Sequence, residues 1–149
     1  MREYKFRAWD KENKVMCDVS HIFIANMVLP QTVMASVGSE MKHCPSDAIL
    51  MQFTGLHDKN GKEIFEGDIL KSEGETKTQP FNFNKEVRDP WWEISEVVFE
   101  GGRFGQIVRT QHNSYFGELP SPFRDIFRPE EYKEVIGNIY EHPELLKDR

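Results

Sequence analysis

The sequence predicts an all-β protein folded as a small barrel with long connecting loops. Three observations carry that expectation. Short apolar runs alternate with polar residues at a period of two, glycine-bearing turns such as Asn60-Gly61 and Gly101-Gly102 separate them, and helical periodicity is almost absent. Short strands joined by such turns point to a sheet that closes on itself or packs on another. No internal repeat or low-complexity tract breaks the chain, so residues 1–149 read as one domain, a size that leaves room for one modest core.

Taken in order, "EYKFRAWDKENKVMCDV" reads as an N-terminal β-hairpin. Tyr4, Phe6 and Ala8 alternate with Lys5, Arg7 and Trp9, "DKENK" has turn chemistry, and "VMCDV" returns. The next segment is weakly patterned, with one short apolar run at Ile22–Ala25, and predicts a strand plus irregular structure. From Ile49 the pattern sharpens: Ile49, Met51 and Phe53 alternate through a strand, and Gly55 to Gly61 forms a turn cluster containing Asp58, Asn60 and Gly61. After Ile64 and Phe65, the corner Glu66-Gly67-Asp68 leads into the strand Ile69–Lys71. Glycine supplies a positive φ there without steric cost, and aspartate can accept hydrogen bonds from backbone amides just past the corner.

Residues 72–90, "SEGETKTQPFNFNKEVRDP", read as a long polar loop, and "WWEISEVVFEGGRFGQIVRT" as strand, Gly101-Gly102 reversal and strand. "SPFRDIF" reads as one helical turn, with Ser121 as N-cap, Pro122 first, and Phe123, Ile126 and Phe127 on one side. "EVIGNIYEH" is a final strand, and "PELL" a closing turn that lays two leucines back on the body.

Composition narrows the function classes. Nineteen basic against 25 acidic residues give a net charge of −6, which disfavours a generic binder of nucleic-acid backbones without excluding a local basic patch. The one mildly basic stretch is the N-terminus, with Arg2, Lys5, Arg7, Lys11 and Lys14. Charges in "MREYKFRAWD" stand where a signal peptide needs an apolar region, and no run reaches the roughly 20 apolar residues of a membrane helix. These features predict a cytoplasmic protein, with Cys17 and Cys44 reduced.

Cys17, His21, His43 and Cys44 form an inventory of soft metal ligands. Adjacent His43 and Cys44 would point to opposite faces of a strand, so the expectation is no metal and no cofactor. "GRFG" (102–105) has the spacing of an RNA-binding GxxG loop, but its flanks read as strands rather than helices. "DKNG" starts like a calcium loop and then departs from its twelve-residue spacing. No phosphate loop, nucleophile elbow or HExxH stands in the sequence, so no catalytic residue is assigned. The candidate partner-binding residues are Trp91, Trp92 and Trp9. Trp91 and Trp92 are neighbours, so on a strand one faces the core while the other must be covered or exposed, and exposed aromatics anchor partners.

Four stretches carry a family resemblance: "REYKFRAWDKENKVM" (2–16), "ILMQFTGLHDKNGKEIFEGDIL" (49–70), "VVFEGGRF" (97–104) and "EVIGNIYEHPELL" (134–146). With these the chain resembles the YopX family of phage and prophage proteins. The resemblance implies an SH3-like barrel with strands mainly within 49–142, a phage or prophage origin and a place in the bacterial host cytoplasm. It supplies no catalytic residues. Segments 17–48, 71–96 and 105–133 match none of its motifs, so a role particular to this protein is expected there. The leading expectation is a non-enzymatic module that binds a host or phage protein, homo-oligomerisation being left open. The alternatives are a nucleic-acid-associated factor and a small hydrolase or nuclease. Gly67, Asp68, Asn60, Gly61, Gly101 and Gly102 are assigned structural turn roles.

Overall fold

A computed structural model describes residues 4–23, 32–37, 40–44, 48–78, 87–112, 124–125 and 133–147, with side chains at 4–19, 48–75, 88–112 and 133–147. The described residues form two antiparallel sheets, and the chain divides into two compact units, 1–55 and 56–149. The fold is all-β, with a half-barrel in one sheet. Where the sequence reading takes 1–149 as one domain, contacts within the chain thus fall into two groups.

The first unit is a meander. β1 (Phe6–Asp10) turns through Lys11–Lys14 into β2 (Val15–Phe23), the expected N-terminal hairpin, followed by β3 (Thr32–Val37) and β4 (Glu40–Cys44). β5 (Ile49–His57) returns to pair with the other edge of β1, placing Ala8 opposite both Cys17 and Leu50. Directly paired residues share a sheet face. Ala8 and Cys17 therefore form a small core with Val15, Val19, Ala48 and Leu50 packed around it. The hairpin turn is organised by Asp10, whose Oδ1 accepts the N–H groups of Glu12 and Asn13, both at 2.9 Å. The side-chain hydrogen bond from Asn13, with these backbone donors, holds the Asp10 carboxyl below the usual carboxylate range.

In the second unit, β6 (Glu63–Phe65) neighbours β5, whose last residues Leu56 and His57 already belong to this unit. The five-stranded sheet runs β10 (Arg124–Asp125), β9 (Arg103–His112), β8 (Val87–Glu100), β7 (Asp68–Thr78), β11 (Lys133–Asn138). Ile64, Leu70, Val97, Phe104 and Val135 form its apolar core, with Leu56 packed against them. β8 and β9 are joined by Gly101-Gly102 with φ of 60° and 81°, a two-residue turn that favours glycine at both positions.

Three sequence expectations are corrected. Residues 72–90 are not a long loop. β7 continues to Thr78 and β8 starts at Val87, paired from Ile69–Glu96 through Thr78–Val87, leaving 79–86 outside the described residues. The strands hid because charges mask the period-two signal and because Gly74 and Pro90 read as breakers. Pro90 stands opposite Glu75 of β7 within this ladder. "SPFRDIF" is not one helical turn, since Arg124 and Asp125 are extended and pair with Gln106 and Gly105, while 121–123 and 126–127 lie outside the described residues. The cluster Gly55–Gly61 is narrower than expected: β5 runs to His57, and the turn proper is Asp58–Gly61.

Candidate functional site: a tryptophan-floored groove

The two adjacent tryptophans of β8 face opposite sides of the five-stranded sheet, and each is half-buried. Trp91 stands directly opposite Gly74 of β7. Its indole lies over that glycine so closely that a Cβ there would meet indole atoms at 2.8–3.0 Å. A glycine inside a strand has no side chain to pack, and the aromatic partner across the ladder fills the gap. Trp91 is thereby committed to the sheet.

Trp92 looks the other way. It stacks on His112, its neighbour on β9, with ring centroids 6.2 Å apart and planes 20° apart. Beside it, Lys71, Ile94 and Thr110 fill one row across β7, β8 and β9. Among the described residues, these four line an open cavity of about 570 Å³ together with Glu144, Leu145 and Lys147. Lys71 is not a bare cation, because its Nζ lies 2.6 Å from Glu73 Oε2. That hydrogen bond, and then the charge of Lys71, holds the Glu73 carboxyl below its usual range. The site is an aromatic and aliphatic floor with charges of both signs at its rim.

The wall is placed by the end of β11. Asn138 Oδ1 accepts the N–H groups of Tyr140 (3.1 Å) and Glu141 (2.9 Å), and its Nδ2 donates to Glu141 Oε2 at 2.6 Å. The His142 N–H donates to the Asn138 carbonyl, and the Ile139 N–H to the Gly67 carbonyl, each at 2.9 Å. Gly137 leaves room for His142, whose ring would lie 2.9–3.0 Å from a Cβ at that position. Pro143 then opens a single 3-10 turn, Pro143–Leu146, which packs across β8. Leu145 and Leu146 are half-buried, which matches the expected closing turn.

Several expected site residues prove architectural. Gly67 has φ 77°, and its N–H donates to the Val97 carbonyl. Asp68 is buried, and its Oδ2 accepts the Phe65 N–H at 2.8 Å, from the residue just before the corner. Gly61 has φ 80°. Asn60 contributes its backbone, donating an N–H to Asp58 Oδ1. Trp9 is buried, so its ring is not presented at the surface where the sequence reading expected a partner contact. Of the soft metal ligands, Cys17 is buried with its Sγ 3.9 Å from the Val15 carbonyl, while the side chains of His21, His43 and Cys44 lie outside those described.

Two features were missed. Asp58, read only as turn composition, accepts N–H groups from Asn60 (2.8 Å) and Lys62 (2.9 Å) on Oδ1, and from Val135 of β11 (3.0 Å) on Oδ2. Burial would raise its pKa, but the Val135, Lys62 and Asn60 donors outweigh that and hold it below the usual range. Beside it, the Lys59 N–H donates to the Lys133 carbonyl, and Lys59 Nζ lies 2.8 Å from Glu134 Oε2. The second feature is a buried polar row on the Trp91 face, Lys133–Ser72–Glu93, with Gln106 Nε2 donating to Glu93 Oε1 at 3.3 Å. A polar residue that faces inward looks like loop composition in a sequence.

Comparison with known proteins gives a family and a structure. Residues 5–147 match the family model described as YopX protein. The chain is similar to the crystal structure of protein EF1440 from Enterococcus faecalis, at 27% identity and a TM-score of 0.56 over 99% of this chain and 100% of that one. None of the curated proteins matches.

Proposed function

The chain belongs to the YopX family, and on that footing we propose that it is a non-enzymatic binding module whose partner surface is the groove floored by Trp92. One observation carries the reading: Trp92, half-buried and stacked on His112, lines an open cavity of about 570 Å³ together with Ile94 and Leu145. That volume lies within the roughly 300–1,000 Å³ typical of binding pockets. Binding energy also concentrates on aromatic anchors that become fully desolvated when the partner closes over them. The partner is a host or phage protein, in keeping with an accessory protein that acts in a bacterial host's cytoplasm.

The test compares Trp91→Ala with Trp92→Ala in pull-downs from lysogenic bacterial cells and in thermal melts. Trp91→Ala uncovers Gly74 and lowers Tm. Trp92→Ala stays folded and loses the partner, at a cost of about 2 kcal/mol or more for a hot-spot tryptophan. A partner retained by Trp92→Ala moves the binding surface elsewhere. Capture that vanishes on raising salt and follows nucleic acid instead of protein would replace the reading with the nucleic-acid alternative.

A further inference from the structure

On the Trp91 face of the five-stranded sheet, four buried side-chain oxygens have no hydrogen-bond partner in the protein: Ser72 Oγ, Ser95 Oγ, Gln106 Oε1 and Gln111 Oε1. Register brings them to Glu93. Ser72 of β7 and Gln111 of β9 stand directly opposite Glu93 on either side, and Ser95 is the next residue of β8 on that face. Gln106 reaches Glu93 through its Nε2, 3.3 Å from Oε1. Ser95, Gln106, Ser72 and Glu93 are 0%, 1%, 3% and 7% exposed. Leu70 and Val97 of the apolar core pair with Ser95 and Gln106, while the Trp91 indole lies over Gly74, the next residue beyond Ser72 on the same face.

Such atoms are costly inside a protein, because each leaves water without a replacement bond. Turning over the Gln106 amide brings no relief, since its oxygen would then face the Glu93 carboxylate. Amide oxygens only accept, and the two hydroxyls can accept while their protons point elsewhere. The cluster therefore suits positive charge, and carboxylate, amide and hydroxyl oxygens are the ligands of hard cations. Two observations limit that charge. Glu93 is the single carboxylate among these residues, and Lys133 is buried at the β11 end of the same row. Ser72 stands between Lys133 and Glu93, which separates their backbones by two strand spacings, about 9–10 Å. The side of Glu93 toward β9 is thus the more favourable one for a cation. Among the described residues no three His, Cys, Asp or Glu come together, as tight divalent sites usually require.

We propose that this cluster binds one monovalent metal cation, of the size of sodium or potassium, through Glu93, Ser95, Gln106 and Gln111, with Ser72 on the β7 side. Its hard oxygen set is distinct from the Cys17, His21, His43 and Cys44 inventory. Glu93 and Ser95 alternate with Trp92 and Ile94 along β8, so the ion steadies the strand that carries the groove floor from its other face. The proposal does not depend on what the groove binds.

The experiment compares thermal melts of the full chain in sodium, potassium and choline chloride at equal ionic strength, choline being too large for a buried site. Sodium or potassium should raise Tm saturably over choline, and at about ten times the dissociation constant the folding equilibrium should shift about tenfold. In protein labelled with 5-fluorotryptophan, the Trp91 19F signal, assigned by Trp→Phe variants, should move along the same saturation curve while that of Trp9 stays. Gln106→Leu removes an oxygen ligand together with the Glu93 hydrogen bond and should abolish the difference between salts. Ser95→Ala and Gln111→Leu are milder, should stay folded in choline, and should each weaken the cation several-fold. Equal melts in the three salts overturn the proposal, the four oxygens then being served by water alone. A cation effect that Ser95→Ala and Gln111→Leu both leave unchanged also overturns it, because the ion then binds elsewhere. Stabilisation by calcium or magnesium at far lower concentration overturns the assignment of a single charge.

Discussion

Replacing Asp58 with alanine removes one carboxylate from three backbone donors, and the structure fixes how much that should cost. The Asn60 and Lys62 N–H groups belong to an exposed turn, so water can replace the carboxylate at about 0.5–1 kcal/mol each. The Val135 N–H is different, because Val135 is buried and its donor would be left without a partner, at about 1–3 kcal/mol. The expected total for Asp58→Ala is about 3 kcal/mol. Asp58→Asn should cost about half as much, since a carboxamide oxygen still serves one side while its NH₂ cannot accept from the other. Urea melts followed by tryptophan fluorescence and circular dichroism measure this, and both probes are needed because two compact units can unfold separately. A pH series adds an independent check. The Asp58 carboxyl is held below its ordinary value when folded, so its contribution is present above the unfolded pKa near 4 and fades as pH falls through the folded value. Asp58→Asn should therefore flatten the acid limb of the stability curve. An Asp58→Ala cost below about 1 kcal/mol, set against the range above, or an unchanged acid limb in Asp58→Asn, would refute the reasoning.

Other expectations follow from the same geometry. Gly67→Ala puts a side chain at φ 77° and should cost about 1 kcal/mol or more, read as a drop in urea midpoint. Asp68→Asn should cost less than Asp68→Ala, since its oxygen can still accept the Phe65 N–H. Gly74→Ala drives a Cβ into the Trp91 indole and should lower Tm; combined with Trp91→Ala the losses should fall short of additive, a result that a simple sum would contradict. Chelator should leave Tm unchanged, and a zinc-reversible loss would reinstate the Cys17, His21, His43 and Cys44 set.

The parts of the fold that could be read in the sequence are those where chemistry is local. The β1–β2 hairpin, the Gly101-Gly102 reversal and the Gly67-Asp68 corner each need particular residues over a few positions, and those residues are visible as such. The long β7–β8 hairpin was not legible, because its identity depends on partners across the ladder. Glu75 faces Arg88 with 3.4 Å between their charged atoms, Gly74 is completed by Trp91, and Ser72 pairs with a buried Glu93. Each of these residues taken alone argues for a loop, and only in register do they make a sheet.

The candidate site divides along the same line. Adjacency of Trp91 and Trp92 was enough to say that they diverge, but not which would be committed to the sheet. That choice is made by Gly74, 17 positions upstream, which accommodates an indole on one face and leaves the other tryptophan to floor the groove. The groove therefore combines two kinds of sequence. Its floor comes from Lys71, Trp92, Ile94 and Thr110, which lie outside the stretches that carry the family resemblance, while its wall comes from "PELL", which lies within one. If floor and wall both line the partner's place, Trp92→Ala and Leu145→Ala should each weaken binding of the same partner while the protein stays folded, measured by titrating the captured partner into each variant. A Leu145→Ala variant that binds as tightly as the unchanged chain would confine the contact surface to the floor.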